Sequence, residues 1–286
     1  MPLAEPDSPT DRVAAVARVA AVFDRVADTY DNVGVPWFEP IAEHLVAYAG
    51  PAAGDRALDI GCGRGAALFP LAAAVGPEGW VLGVDVSARM VEATRVDVVA
   101  RGLGQVAVEV GDASDLRLPG PPFDLAVASL VLFFLPDPAA GLRSWRSCLV
   151  PGGRLAVSTF GDRDPVLRAV DEVFTPFLPP QMLDARTTGS KGPFGSDVGM
   201  SELLAGAGFA AVDHQMIDVE LRFESPAQWV EWSRSHGQRA MWDAVPDAAR
   251  RELEAAVDAL LSGHRGPDGL IRMGQQVRLT SAVSPG

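Results

Sequence analysis

Three glycines and three acids in the first half of the chain have the types and spacing of a ligand site. In "ALDIGCGRGAAL" (57–68), Gly61, Gly63 and Gly65 follow a short apolar run, and Asp59 stands two places before the first glycine. Glycines so placed let backbone approach a ligand closely. A phosphate loop gains nothing from a carboxylate, which repels the anion held at a helix N-terminus. Beside an ammonium group the same carboxylate attracts. Asp85 ends "VLGVD", and an acid at such a strand tip can accept hydrogen bonds from both hydroxyls of a ribose. Asp112, in "VGDASDL", can accept one from an exocyclic amine such as adenine N6.

A ligand with an ammonium group, a ribose and an adenine, and no phosphate, fits all three acids. S-adenosylmethionine is such a ligand. The rival reading is a nicotinamide oxidoreductase, because "GCGRGA" also satisfies G-x-G-x-x-G/A ahead of Asp85. Asp59 and Asp112 argue against it.

The elements that must position these residues follow from periodicity. "RALDIG", "WVLGVDV", "VAVEVGD", "FDLAVASL" and "GRLAVSTF" are short apolar runs, separated by helical patterns at 64–75, 87–101 and 138–149. Strand, helix, strand at this spacing predicts right-handed βαβ units. Pro70 sits awkwardly in the first of those helices and predicts a kink. Helical spacing over 13–30 and 38–49 precedes the core. After Gly161, "FAAVDHQMIDVEL" predicts a sixth strand, "SPAQWVEWSRSHGQRAMW" and "PDAARRELEAAVDALL" two helices, and "LIRMGQQVRLTSAV" a last strand. The expected fold is α/β: a doubly wound, mainly parallel seven-stranded sheet with helical lid insertions. The expected organisation is a helical cap over 1–50, a cofactor-binding core over 51–161, and the rest of the sheet over 162–286. The lid insertions are expected at about 162–205 and 224–265.

The chain resembles the class I S-adenosylmethionine-dependent methyltransferases, in the small-molecule branch with the ubiquinone/menaquinone-type enzymes. The matching segments are "FDRVADTYD", "ALDIGCGRG", "VLGVDVSARMVEATR", "VEVGDASDLRLP", "FDLAVASLVLFFLPDP" and "LVPGGRLAVSTFG". The resemblance implies that Gly61, Gly63 and Gly65 approach the methionine end of the cofactor and that Asp85 holds its ribose. It also implies that Met90 packs on the adenine, that Asp112 and Ala113 contact it, and that Ser129 lies beside the sulfonium. Tyr30 matches the tyrosine that caps the methionine moiety from an N-terminal helix. Arg64 departs from the small residue usual in its place. The implied activity is methylation, on O, N or C, of a small and largely apolar metabolite or natural product. The alternative within this fold is a non-methylating reaction, such as a cyclisation, on bound S-adenosylmethionine.

Composition narrows the partners. Lys and Arg number 24 against 37 Asp and Glu, a net charge of −13 that disfavours nucleic acid. "ASLVLFF" lacks the D/N-P-P-Y/F/W sequence of amino-group methylases. No apolar run approaches a membrane span, and "MPLAEPDSPTDRV" lacks the form of a signal peptide, so the cytoplasm is expected. Residues 1–10 read as a disordered tail. Two cysteines are too few for a disulfide framework, and Asp162 alone is near the place of a catechol-type metal, so no metal is expected. Large apolar residues outside the core, among them Trp37, Phe38, Met182, Phe194, Met200, Trp229, Trp232 and Trp242, are expected mainly to pack and in part to line an acceptor pocket. His236, in "RSHGQR", is the one candidate general base. His44, His214 and His264 read as structural or solvated. The "TTGSKGPFGS" loop, with Arg186 and Lys191, offers a weaker anion site.

Overall fold

The computed structural model describes residues 9–179 and 192–286. Residues 1–8, the first half of "TTGSKGPFGS", Met182, Arg186 and Lys191 lie outside them. The strands are β1 (Arg56–Ile60), β2 (Trp80–Asp85), β3 (Val106–Val110), β4 (Phe123–Ser129), β5 (Leu149–Arg163), β6 (Ala210–Phe223) and β7 (Ile271–Val283). They form one seven-stranded sheet in the order β3-β2-β1-β4-β5-β7-β6. Strands β1 to β5 are parallel, and β7 runs antiparallel between β5 and β6. Strand order reverses between β1 and β4, which is where a doubly wound sheet opens its ligand crevice.

The helices are α1 (Pro9–Val26), α2 (Phe38–Ala49), α3 (Leu68–Val75), α4 (Ala88–Ala100), α5 (Pro138–Ser147), α6 (Pro165–Phe174), α7 (Asp197–Gly206), α8 (Pro226–Arg234), α9 (Arg239–Ala244) and α10 (Asp247–Ser262). Alternation along the strands divides the core in two. Leu58, Leu82, Ala126 and Leu155 meet Leu142 and Trp145 of α5 and Met200 and Leu204 of α7. Ala57, Val81, Leu125 and Ala156 meet α2, α3 and α4 through Leu45, Leu71 and Val91. The same second cluster continues into α6 and α8–α10 through Phe174, Trp229, Trp232 and Leu253. It also takes in Phe223, Ile271 and Met273, where the β6–β7 ribbon runs beyond the last β5 pair at Arg163 and Gln275.

Four local expectations change. Helix α3 begins at Leu68, so Pro70 lies in its first turn, where a missing N–H loses no intrahelical bond. The helix therefore continues to Val75 as one element. Residues 225–242 form two helices, because Ser233 and Ser235 donate their hydroxyls to Val230 and Trp232 carbonyls (2.9 and 2.7 Å) and Gly237 follows. Helix α1 ends at Val26, which leaves Tyr30 in the turn after it. Finally, residues 192–206 are fastened to the sheet. Arg278 of β7 donates to the Phe194 carbonyl and to Asp197, both at 2.6 Å. Phe194, in the turn before α7, and Met200 of α7 are thus core residues.

The turn "YDNVGVPW" is organised by Asp31. Its carboxylate accepts from the N–H groups of Trp37 (3.0 Å) and Glu39 (3.1 Å), and so serves the first turn of α2 from outside the helix. Trp37, at the N-cap position, offers no side-chain bond. Asp31→Ala should therefore cost about 1–2 kcal/mol in urea unfolding. An unchanged midpoint would show that water replaces the carboxylate at no cost.

Candidate active site

The glycine loop leaves β1 in the left-handed region, with φ of +72°, +48° and +88° at Gly61, Gly63 and Gly65. It is tied to β2, since Gly61 and Cys62 both donate to the Val84 carbonyl (2.7 and 3.0 Å). The three glycines do different work. A Cβ on Gly61 would lie 2.4 Å from Val131, and one on Gly65 2.4 Å from Phe69. At Gly63 the nearest atom would be Tyr30 Cε1, 4.0 Å away, so this stretch of backbone stays open to a ligand.

Asp85 closes the loop from below. Its carboxylate accepts the N–H groups of Gly63 and Ser87, each at 2.8 Å. Burial raises its pKa, and those two bonds work in the opposite direction. Asp59 is 1% exposed and has one carboxylate oxygen with no partner among the described residues. Burial, and then the charge of Asp85, push its pKa to about 8. Its own burial, and then the charges of Asp85 and Asp59, push the Cys62 thiol up, which disfavours the reactive thiolate. A buried, unpaired carboxylate beside an open glycine backbone fits a ligand that carries a cation. The residues present therefore fit the ammonium end of S-adenosylmethionine.

The remaining expected contacts lie on the same carboxyl edge of the sheet. Asp112 caps a single turn at 113–115, accepting the Ser114 N–H and hydroxyl (2.8 and 2.6 Å). The Ala113 carbonyl accepts from Trp145 Nε1 at 2.7 Å. Met90 is buried under Val26 and Ala27. Ser129, at the end of β4, faces Ser158 of β5 with their hydroxyls 3.3 Å apart. Tyr30 stacks on Phe38 at 4.5 Å and meets the edge of Phe23 at 6.1 Å.

Sequence reasoning missed the polar straps that lay α1 across this edge. The Ser87 hydroxyl donates to Asp24 (2.5 Å) and Arg89 pairs with Asp28 (2.6 Å). Arg64 donates to the Ala27 carbonyl (2.8 Å) and pairs with Asp97 of α4 (2.6 Å). Its departure from a small residue was the available signal. A wall of aromatic rings then closes over the ends of β4 and β5. Phe133 lies 5.3 Å from Phe160, Phe160 is 6.3 Å from Trp37, and Trp37 is 5.9 Å from Trp232.

His236 belongs to this wall, 4.4 Å from the Trp232 ring and 5.5 Å from Phe38. Burial drives its pKa down to about 3. The expectation of a general base changes accordingly: a neutral imidazole this reluctant to take a proton is a poor base near neutral pH. His214 bridges Ser201 and Thr280, His264 bonds the Leu260 carbonyl, and His44 is exposed on α2. Among the described residues, no three His, Cys, Asp or Glu side chains are grouped as a metal site requires, and no helix is long and apolar enough to cross a membrane.

The state of Asp59 gives a stability test. Its native pKa near 8 lies above the ordinary value of 3.8, so the native protein holds a proton that the unfolded chain releases. That stabilisation is fully present below about pH 4 and is lost as pH rises to 8, with a slope approaching about 1.4 kcal/mol per pH unit. Asp59→Asn should flatten the pH dependence of thermal unfolding in cofactor-free protein. A variant whose slope matched the parent between pH 5 and 8 would place the proton elsewhere.

Comparison with known proteins agrees with this geometry. Residues 57–153 match the family described as a methyltransferase domain. The chain is 36% identical over 256 residues to the nocamycin O-methyltransferase of Saccharothrix syringae, covering 85% of this chain and 90% of that one. It is 39% identical over 172 residues to the aklanonic acid methyltransferase DauC of Streptomyces sp. (strain C5), covering 58% and 76%. Among solved structures, YcgJ of Bacillus subtilis superposes with a TM-score of 0.58 at 17% identity, over 86% of this chain and 99% of that one. The [4+2]-cyclase SpnF gives 0.58 at 19% identity, over 95% and 97%. Both likenesses show the fold alone. The chain belongs to the S-adenosylmethionine-dependent methyltransferases that act on small molecules.

Proposed function

We propose that this enzyme methylates an acidic oxygen, such as a carboxylate, enolate or phenolate, on a largely apolar, ring-bearing acceptor in the cytoplasm. The carrying observation is the aromatic wall over the ends of β4 and β5, whose histidine is neutral and weakly basic. Flat apolar rings suit such a wall. An acceptor that arrives as an anion needs no base in it. The likeness to an O-methyltransferase over 90% of that protein's length supports oxygen as the atom methylated.

When bound, S-adenosylmethionine supplies a methyl group on a positively charged sulfur. Asp59 would balance the ammonium group, and Asp85, held by the loop N–H groups, would accept from the ribose hydroxyls with its remaining lone pairs. Met90 and Ala113 would flank the adenine and Asp112 would accept from its amine, while Tyr30 would cover the methionine end. Ser129 and the wall hold the acceptor oxygen in line and exclude water. Holding two reacting atoms in line is worth up to ~7–11 kcal/mol, enough to need little further assistance. The net charge of −13 disfavours nucleic acid as acceptor.

Two measurements test this reading. Enzyme given methyl-labelled cofactor and a panel of fused-ring acids, phenols and amines should label oxygen, as read by mass spectrometry of esters and ethers. Label found only on nitrogen or carbon would reject the oxygen assignment. Separately, Asp85→Ala should weaken calorimetric binding of the demethylated cofactor by about 2–3 kcal/mol, the scale of losing hydrogen bonds to a charged group. Equal affinity in parent and variant would remove Asp85 from the ribose.

A further inference from the structure

The turn between α8 and α9 holds polar atoms that nothing among the described residues satisfies. His236 is 5% exposed, yet its Nε2 has no hydrogen-bond partner, and the same is true of the buried Gln238 Oε1 two residues on. A buried polar atom left unpaired is destabilising, so a pair of them on one short turn calls for an account. The backbone supplies the first part of it. Gln238 donates its N–H toward His236 Nδ1 at 3.4 Å, a long contact that makes Nδ1 the acceptor. A neutral ring with an accepting Nδ1 carries its proton on Nε2. His236 therefore presents a buried N–H donor within an aromatic wall.

We propose that His236 Nε2–H is the hydrogen-bond donor that seats the anionic oxygen of the acceptor. It is a specificity-determining residue, and the ligand it selects is a fused-ring acid rather than the neutral ring. This rests on the acceptor class proposed above. The wall gives the ring its surface, with Phe38 and Trp232 against the imidazole and Phe23 and Phe134 within 4.0 Å of where a Cβ on Gly237 would lie. None of the described side chains bonds to Nε2, and a carboxylate would complete it. The donor also sets orientation: an oxygen held there fixes which edge of the ring system is turned toward the methyl group.

The test compares 2-naphthoic acid with its methyl ester, by calorimetry on protein saturated with the demethylated cofactor. A hydrogen bond to a charged group predicts that the parent prefers the acid by roughly tenfold or more. His236→Phe keeps the ring in the wall and removes the donor, so the preference should fall to about one while the ester binds as before. His236→Gln, which keeps an N–H, should retain part of it. Loss of both ligands in equal measure would mean that His236 only packs. An undiminished preference in His236→Phe would overturn the donor while leaving the acceptor class intact. A parent that binds neither compound, or favours the ester, would overturn the acceptor class and this assignment with it. Nitrogen-15 spectra of histidine-labelled parent protein give a second reading that needs no variant. One of the four histidines should shift at Nε2 with the acid and not with the ester, and equal spectra would reject the contact.

Discussion

Two carboxylates buried side by side, without a cation between them, are the constraint around which this protein is arranged. Asp85 is kept in place by the N–H groups of Gly63 and Ser87, so the loop that would bind the cofactor is folded around a charge. Asp59 has no such help for one of its oxygens and retains a proton instead. The electrostatic deficit selects the ligand. A phosphate would deepen it, a neutral nucleoside would leave it, and an ammonium-bearing nucleoside removes it. The left-handed turn through Gly61, Gly63 and Gly65 is what brings the loop N–H groups and the two acids to one point.

The N-terminal helix depends on the same place. Three of the straps that hold the N-terminal segment end within two residues of a proposed cofactor contact: Ser87 follows Asp85 by two, Arg64 lies between Gly63 and Gly65, and Arg89 precedes Met90. Exposed ion pairs such as Arg89 with Asp28 contribute little individually. The half-buried Arg64, with one bond to a carbonyl and one to Asp97, is the firmer tie. The cap is therefore connected to the binding loop and is only lightly held elsewhere along α4.

Much of this was legible in the sequence, for physical reasons that apply to the core alone. Strands β1, β2 and β4 are largely buried apolar runs with glycine, proline or aspartate beside them, and the alternation of β1 to β5 with amphipathic helices admits few topologies. The site acids are legible because each lies close to a strand's carboxyl end: Asp59 one residue before the end of β1, Asp85 at the end of β2 and Asp112 two residues after β3. The rest depends on contacts made after folding. Nothing in "SRSHGQR" reveals that two serine hydroxyls interrupt the helix, or that Trp232 and Phe38 enclose His236 and remove its basicity. Pro70 looked disruptive because the start of α3 depends on the length of the glycine loop, which periodicity does not measure. Tyr30 was placed on a helix that stops four residues before it, because Asp31 turns the chain toward α2.

The β6–β7 ribbon has a consequence for how such enzymes diversify. Phe223 and Ile271 are paired neighbours, so everything from 224 to 270, including α8, α9, α10 and His236, leaves and re-enters the sheet at one point. A segment whose ends already meet can be lengthened, shortened or exchanged without moving β1, β2 or the glycine loop. Transplanting it at this junction is then a matter of matching two strand residues and the apolar surface beneath them. On the proposed acceptor site, recombination at that seam revises what is methylated, while the machinery that handles the methyl donor is inherited unchanged.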